Sequence, residues 1–495
     1  MSMVLNTNIG AVQAQRALSE SRAEMEKAME RLSTGLRINS AADDAAGLAM
    51  VERMNSQIRG LTMATKNAND GIALIKTTEN ALVEVSGMLQ RMRELAVQAA
   101  NATNSDTERA FANDEINQLQ QEISRVSANT RYNGTQILNG SFSAKSLQVG
   151  IMSGEDINFS IDTVEASLLG TFVTTSPVLA PNGVNNTAYA STNNGVDGDD
   201  VTIVGNGNTR TVTIETSETA KAAATKINAV AGATTVFAQA RTAALLRSSS
   251  STDLSYTVKI NNVETAAFTL SSAGVTDAVT KINAITASTG VMAAATTDGK
   301  VLLSDADGDD ITIENTSTQT TLFVAAVEND GVTTAVAGGE DNLLASGGTD
   351  LTTIAGTIRL TSTAGFTVTQ ATAVGAGASF FTDGEVAATL SSVSSIAVTT
   401  TIGASDALAV IDGALDTVSA MRGSLGTLQN RLDYAVSNLM KVTEYTIGSR
   451  SRIQDADFAA ETSRLAKAQV LQQAGASMLA QANASTDTVL QLLRG

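Results

Sequence analysis

The sequence predicts an α+β multidomain protein: a terminal antiparallel helical coiled-coil bundle, made by pairing the N- and C-terminal segments, with a β-hairpin and an inserted, mainly-β variable region. Three observations predict this. Apolar residues recur at 3–4 spacing near both ends, as an amphipathic helix requires. Between them the texture changes to Thr, Ala, Val, Ser, Gly and Asn with short period-2 runs, the pattern of half-buried strands. Charge follows the same division: of the net −18, residues 1–160 carry −3, residues 161–400 carry −14 and residues 401–495 carry −1.

Taken in order, Ala11, Ala14, Leu18, Met25, Ala28 and Leu32 form a heptad seam, with Ser21 as its polar interruption. A break at 37–44 follows, then a second seam through Ile58, Leu61, Ala68, Ile72, Ile75, Leu82 and Leu89. Asn101–Asn104 closes that helix. Ser105 and Glu108 have the spacing of a capping box for a third, whose apolar face is read as Phe111, Ile116, Leu119, Ile123 and Val126. Asn133-Gly134 and Asn139-Gly140 are turn signals. Leu147, Val149 and Ile151 alternate, as do Ile157, Phe159 and Ile161, so a hairpin is expected with its turn at 153–156.

The middle contains an internal repeat: Thr225-Lys226-Ile227-Asn228-Ala229 recurs as Thr280-Lys281-Ile282-Asn283-Ala284, each ahead of a strand-like segment at 234–238 or 290–294. Two tandem helix-plus-strand modules are expected. Gly205-Asn206-Gly207 reads as a hairpin turn. Asp305-Ala306-Asp307-Gly308-Asp309-Asp310 has Gly at the fourth position and Thr316 at the twelfth, so it does not follow a calcium-loop pattern and is read as a solvated turn.

Helical spacing returns with Leu408, Ile411, Leu415, Val418 and Leu425, continues after a one-residue shift through Leu428, Leu432, Leu439 and Val442, and ends in the longest heptad of the chain. That last seam is Leu465, Ala468, Gln472, Gly475, Leu479, Ala482, Thr486, Val489 and Leu493, with a second stripe that includes Leu471 and Met478. The expected domains are 1–42, an N-terminal helix; 43–176, further helices and the hairpin; 177–402, the β-rich insertion with two repeat modules; 403–452, a C-terminal helix; and 453–495, the last helix.

Composition removes whole classes of function. No His and no Cys occur, which excludes His-dependent triads, thiol nucleophiles, disulfides and the usual zinc sites. No catalytic, cofactor or metal residues are assigned, and the expectation is a protein that is not an enzyme. The acidic balance argues against nucleic acid. No apolar run approaches the ~20 residues that cross a bilayer, so no membrane insertion is expected. Residues 1–6 have neither a basic n-region nor an apolar h-region, so no cleaved secretory signal is expected.

Neither end hides its apolar stripe alone, because isolated helices gain little from propensity. Leu18, Met25 and Leu32 at one end, and Leu465, Leu479, Val489 and Leu493 at the other, are the candidate association residues. A long intramolecular helical hairpin and an open helical polymer both satisfy this requirement.

Specific stretches resemble the bacterial flagellins: Arg37-Ile-Asn-Ser-Ala-Ala-Asp-Asp-Ala-Ala-Gly-Leu-Ala49, Ser451-Arg-Ile-Gln-Asp-Ala-Asp-Phe458, Gln472-Gln-Ala-Gly475, Leu479-Ala-Gln-Ala-Asn483 and Val489-Leu-Gln-Leu-Leu-Arg494. The resemblance covers about 1–175 and 400–495, and the two-copy repeat resembles modules inserted in flagellins and hook-associated proteins. It implies a structural subunit that polymerises into the helical flagellar filament for motility. The extreme ends would form an inner tube, the adjoining helices and hairpin an outer tube, and the insertion would face solvent. It further implies an extracellular filament, export by the flagellar type III apparatus without signal cleavage, and a chaperone on the C-terminal segment. The implied partners are further copies of the chain and the flagellar cap and hook-associated proteins. Gln90–Val97 resembles the segment read by a host Toll-like receptor, with Arg91, Leu95 and Glu115 at the contacting positions. Leu490, Leu492 and Leu493 resemble leucines sensed by cytosolic immune receptors. Two rival readings are a hook–filament junction protein and a secreted adhesin acting through its middle region.

Overall fold

The computed structural model describes residues 8–494 apart from 102, 185–193, 273, 297, 329–335, 345–349, 371–378 and 382–383; within that range the side chains of 184, 199, 336–338 and 485–494 are outside the description. Eight α-helices lie in the described chain: α1 (Ile9–Thr34), α2 (Ala45–Ala100), α3 (Asp106–Asn129), α4 (Ala220–Thr234), α5 (Thr276–Asn283), α6 (Thr286–Thr289), α7 (Thr401–Gln454) and α8 (Phe458–Arg494). Among the described residues no helix is long and apolar enough to cross a membrane. The chain forms two compact units, one of 1–75, 144–159 and 427–495, the other of 76–143 and 160–426.

In the first unit α1 pairs with α8, and the hairpin is the antiparallel pair Lys145–Gln148 and Asp156–Phe159. Val149, Ile151 and Ile161 lie outside these strands, so the ladder is shorter than the alternation suggests. The turn bends early because the Glu155 carboxylate accepts from the Met152 N–H at 2.9 Å. A small apolar cluster joins Leu61 and Ala64 of α2 to Leu439 of α7. Gly71 is where α2 meets the hairpin, since an added Cβ would lie 2.5 Å from Leu147 Cδ2 and 3.3 Å from Leu432 Cδ1.

The second unit has the larger core. Its helical part packs Leu82, Val85, Leu89, Met92, Ile116, Ile123, Ile411, Val418 and Leu425 out of solvent. The capping box of α3 forms as expected: the Ser105 hydroxyl accepts from Glu108 N–H, and the Glu108 carboxylate accepts from Ser105 N–H at 2.7 Å. The buried face of α3 is Arg109, Ala112, Ile116, Gln120, Ile123 and Ser127. Phe111 is not on it and stands 69% exposed. Polar groups hold its place inside: Gln120 donates to the carbonyls of Val393 and Ile396, and Ser127 donates to that of Leu138. Val442 is likewise exposed rather than on the α7 seam; one position on, half-buried Thr443 turns inward and bonds its hydroxyl to Leu439 O.

The inserted region is β-rich, and its strands pair antiparallel. The strand Phe237–Ser248 runs through it: residues 237–241 pair with Thr357–Ser362, 242–246 with Val301–Asp305 and 244–248 with Leu322–Val327. Two apolar cores form around it, one with α4 through Ile227, the other with α5 through Ile282. The repeat acquires a physical reason here. Asn228 donates to Ala238 O and accepts from Ala238 N–H, while Asn283 makes the same two bonds with Ala293. Each helix is thereby stapled to the strand that follows it. Those strands are Phe237–Ser248 and Met292–Ala295, each beginning two or three residues later than expected. The delay arises because Thr235 and Gly290 end α4 and α6 in the left-handed region.

Candidate assembly surface

Helix α1 starts at Asn8, whose side-chain oxygen accepts from Ala11 N–H at 3.0 Å. It stops at Gly35, φ +71°, whose N–H returns to Arg31 O. The amide of Asn8 also donates to Ala482 O at 3.0 Å, tying the start of α1 to α8.

Between those ends the sequence seam is the facing seam. Leu18, Met25 and Leu32 on α1 are half-buried, as are Leu465 and Leu479 on α8; Val489 and Leu493 lie outside the described side chains. Small residues set the approach. Ala28 and Ala468 are fully covered, and a Cβ on Gly475 would stand 3.4 Å from Leu18 Cδ1.

Just beyond the pair, the two longest recognised stretches meet. Leu36 forms an antiparallel bridge with Asp455, Arg37 N–H donates to Gln454 O at 2.7 Å, and Ala456 N–H donates to Gly35 O at 2.9 Å. Asp44 accepts from Gly47 N–H at the start of α2, and Gly47 leaves no room for a side chain against Asp44 and Ile38.

A charged layer that apolar periodicity does not reveal closes this end. Arg31 pairs with Glu461 at 3.0 Å, Arg464 with the same carboxylate at 3.0 Å, and Lys27 with Asp43 at 2.9 Å. The Lys27 ammonium and the N–H groups of Asn39 and Ser40 hold the Asp43 carboxyl well below the usual carboxylate range. Only the i, i+4 spacing of Lys27 and Arg31 hints at this layer in the sequence. Glu461, buried on α8, gives no such sign.

Several apolar side chains of the pair remain outside. Ile9, Val12 and Met29 of α1 and Phe458, Val470, Leu471 and Met478 of α8 are exposed, Val470 to 65%. They stand among exposed charged side chains such as Arg16, Glu20 and Arg22, on two helices that fully cover few side chains of their own.

In the second unit, Arg91 and Glu115 are joined across α2 and α3 at 2.8 Å, and Arg91 also holds Glu94 at 3.0 Å. Those carboxylates raise the Arg91 guanidinium above its ordinary value. Leu95 does not share this surface. It is 3% exposed, because it lies on the inward face of α2 with Met92 and Ala99. The Asp305–Asp310 turn is spanned by Lys221, which pairs with Asp307 at 3.3 Å and Asp309 at 2.8 Å. Among the described residues no group of three acidic side chains is placed to hold a metal ion.

Residues 5–143 match the bacterial flagellin N-terminal helical region, and residues 408–493 match the bacterial flagellin C-terminal helical region. The chain is 38% identical to B-type flagellin of Pseudomonas aeruginosa, with both proteins covered over their full length. The chain belongs to the bacterial flagellins. Flagellin of Salmonella typhimurium is 33% identical and Flagellin A of Vibrio cholerae 32%, again over the full length of each. This flagellin is therefore a structural subunit of the flagellar filament, a polymer of its own copies, built with helical ends and an inserted β-rich middle.

Proposed function

We propose that this flagellin polymerises through the α1–α8 pair, with Leu18, Met25, Leu32, Leu465, Leu479, Val489 and Leu493 forming or supporting the contacts. The observation that carries this reading is a pair that covers few side chains fully and leaves Ile9, Val12, Met29, Phe458, Val470, Leu471 and Met478 exposed. A pair that leaves so much apolar surface open gains its stability from neighbouring copies. Residues 1–42 and 453–495 then form an inner tube, 43–176 and 403–452 an outer tube, and 177–402 the acidic, solvent-facing insertion.

The same reading makes the protein extracellular, exported by the flagellar type III apparatus without a cleaved signal, with a chaperone on its C-terminal segment until assembly. Cap and hook-associated proteins border the growing polymer. The protein has no catalytic activity of its own. Host Toll-like receptor contact falls on Arg91 and Glu115, with Leu95 supporting the helix from beneath.

Deleting 1–35 or 465–495 is expected to leave a soluble subunit that cannot elongate seeds; filaments grown from either truncation would overturn the assignment. Excising 177–400 separates display from adhesion. Filaments that persist while attachment is unchanged support an inert insertion, and lost attachment supports an adhesive one.

A further inference from the structure

The repeat of the inserted region reaches further in structure than its run of matching residues. At one constant offset, Asn228, Thr234, Val236 and Ala238 correspond to Asn283, Thr289, Val291 and Ala293. In both copies the asparagine amide closes on the alanine through two bonds, donating at 2.8 Å and accepting at 2.8 Å in the first, 2.9 and 2.7 Å in the second. In both copies the threonine hydroxyl accepts from the valine N–H, at 3.4 Å and 3.3 Å. In the second, Thr286 Oγ1 also donates to Val291 O at 2.8 Å.

These bonds occupy the rim of a sheet. Met292–Ala295 is the terminal strand of an eight-stranded sheet among the described residues, paired on one side with Val301–Asp305. In an antiparallel ladder the N–H and C=O of one residue point to the same side, and those of the next residue point to the other. Ala293 commits both groups to Asn283, so they face away from Val301–Asp305. Val291, two residues back, turns its own pair the same way, onto Thr289 and Thr286. A primary amide carries the donor and the acceptor of a peptide group, so Asn283 stands where the backbone of a further strand would stand. In the first copy Asn228 does the same for Ala238, on the side that Val301–Asp305 joins only from Thr242 onward.

Without Asn283 this rim suits another strand. Met292–Ala295 carries no charge, and Met292, Ala294 and Ala295 are exposed. An open, uncharged edge strand is a template for pairing. In a polymer of this chain, the strand held nearby at high local concentration is the same edge of another copy. An antiparallel edge can pair with itself about a two-fold axis.

We propose that Asn283 is a plug that bars the Met292–Ala295 rim from strand addition by a second copy of this chain. The amide side chain substitutes for the missing neighbour, and Thr286 and Thr289 extend the closure by one ladder step. The insertions of adjacent copies are thereby kept from fusing into one sheet.

The test uses the full-length subunit without seeds, so that any growth through the helical ends is common to parent and variants. Asn283→Ala is expected to self-associate about tenfold more tightly than the parent in sedimentation velocity, the scale of the two freed hydrogen bonds. An intermolecular β-sheet band in the infrared spectrum is expected to accompany it. Adding Ala294→Lys, on the exposed side of the rim, is expected to return association to the parent level without raising the melting midpoint, because like charges on paired edges repel. Should Asn283→Ala fail to fold, Asn283→Ser, too short to bridge both groups of Ala293, is expected to show the same association and the same rescue. A variant shown folded by circular dichroism that associates no more than the parent would overturn the proposal. So would association that persists with Ala294→Lys in place, since an opened rim would then not be its cause.

Discussion

Replacing Leu18 by Ala tests whether the helical ends draw their order from assembly. Leu18 is half-buried on the α1 seam and faces Gly475 of α8, where an added Cβ would stand 3.4 Å from Leu18 Cδ1. A fully buried Leu→Ala change costs about 2–5 kcal/mol, so a half-covered one costs about 1–2 kcal/mol. The consequence depends on when the pair forms. If α1 and α8 come together as a subunit joins the polymer, the cost belongs to elongation. The critical concentration for seeded growth then rises by a factor of roughly 5–30. The melting curve of the free subunit stays unchanged, because the lost contact does not exist there. If the pair is already formed in the free subunit, the penalty appears in that melting curve and the critical concentration moves little. Sedimentation of filaments grown from seeds at graded subunit concentrations gives the first quantity, and calorimetry of the free subunit gives the second. Val204→Thr, on the exposed side of the inserted region, is a matched control expected to change neither. A Leu18→Ala subunit with an unaltered critical concentration and a destabilised free form would refute the reasoning.

Stability should depend on pH through Asp310, whose carboxyl burial pushes up to about 7 although Asn194 donates to it at 2.9 Å. The folded state holds this proton over a range where the unfolded chain has lost it, so stability falls as pH rises from about 4 and levels above 7. Asp310→Asn is expected to remove that slope and to stabilise the protein by about 1–3 kcal/mol at pH 8, read from urea midpoints at pH 5 and pH 8. Two glycines of α2 should respond oppositely to Ala. Gly87→Ala, with nothing within 4 Å of the new Cβ, gains up to about 1 kcal/mol of helix propensity; Gly71→Ala, which drives a Cβ into Leu147, loses about 1–2 kcal/mol by overpacking. Thermal melts of both variants show it as midpoints moving in opposite directions. Ser105→Ala removes the hydroxyl half of the α3 capping box and is expected to cost about 1 kcal/mol in chemical denaturation.

How much was legible follows from the range of each interaction. The Asn206-Gly207 and Asn133-Gly134 turns are local, and both residues of each pair adopt positive φ as such dipeptides permit. The Ser105 box is equally local. The α1 and α8 seams were legible because a helical period of 3.6 writes the facing side directly into the spacing. Phe111 and Val442 were misplaced for a single reason: apolarity marks a candidate for burial, whereas the face that is buried is fixed by what packs against it. On α3 that face includes Arg109 and Gln120, which have backbone carbonyls to bind. Strand order in the insertion was illegible, since Arg241 meets the strand of Arg359, and Asp406, only through pairings more than a hundred residues apart in the chain.

The same contrast in range bears on how assembly is built into the chain. The second unit satisfies its helices internally, with Leu82, Leu89, Met92, Ile116 and Ile411 out of solvent and cross-helix ion pairs from Arg93 to Asp412 at 2.7 Å and from Arg422 to Glu79 at 2.8 Å. The α1–α8 pair differs in kind. Its contacts are Ala, Gly and half-covered Leu and Met, its one dense spot is the Arg31–Glu461–Asp43 layer, and several apolar side chains stay exposed outside. A helix pair of this kind has specificity without much stability: caps, seam and charge layer define one register, while too little surface is covered to offset the conformational entropy of more than sixty ordered residues, at roughly 1–2 kcal/mol each for the backbone alone. Register encoded within the subunit, with stability contributed by its neighbours, lets a subunit stay soluble when alone and become ordered in the polymer. Enlarging the fully covered Ala468 to strengthen the pair would therefore be expected to harm growth rather than aid it, because a bigger side chain there would push the two helices apart.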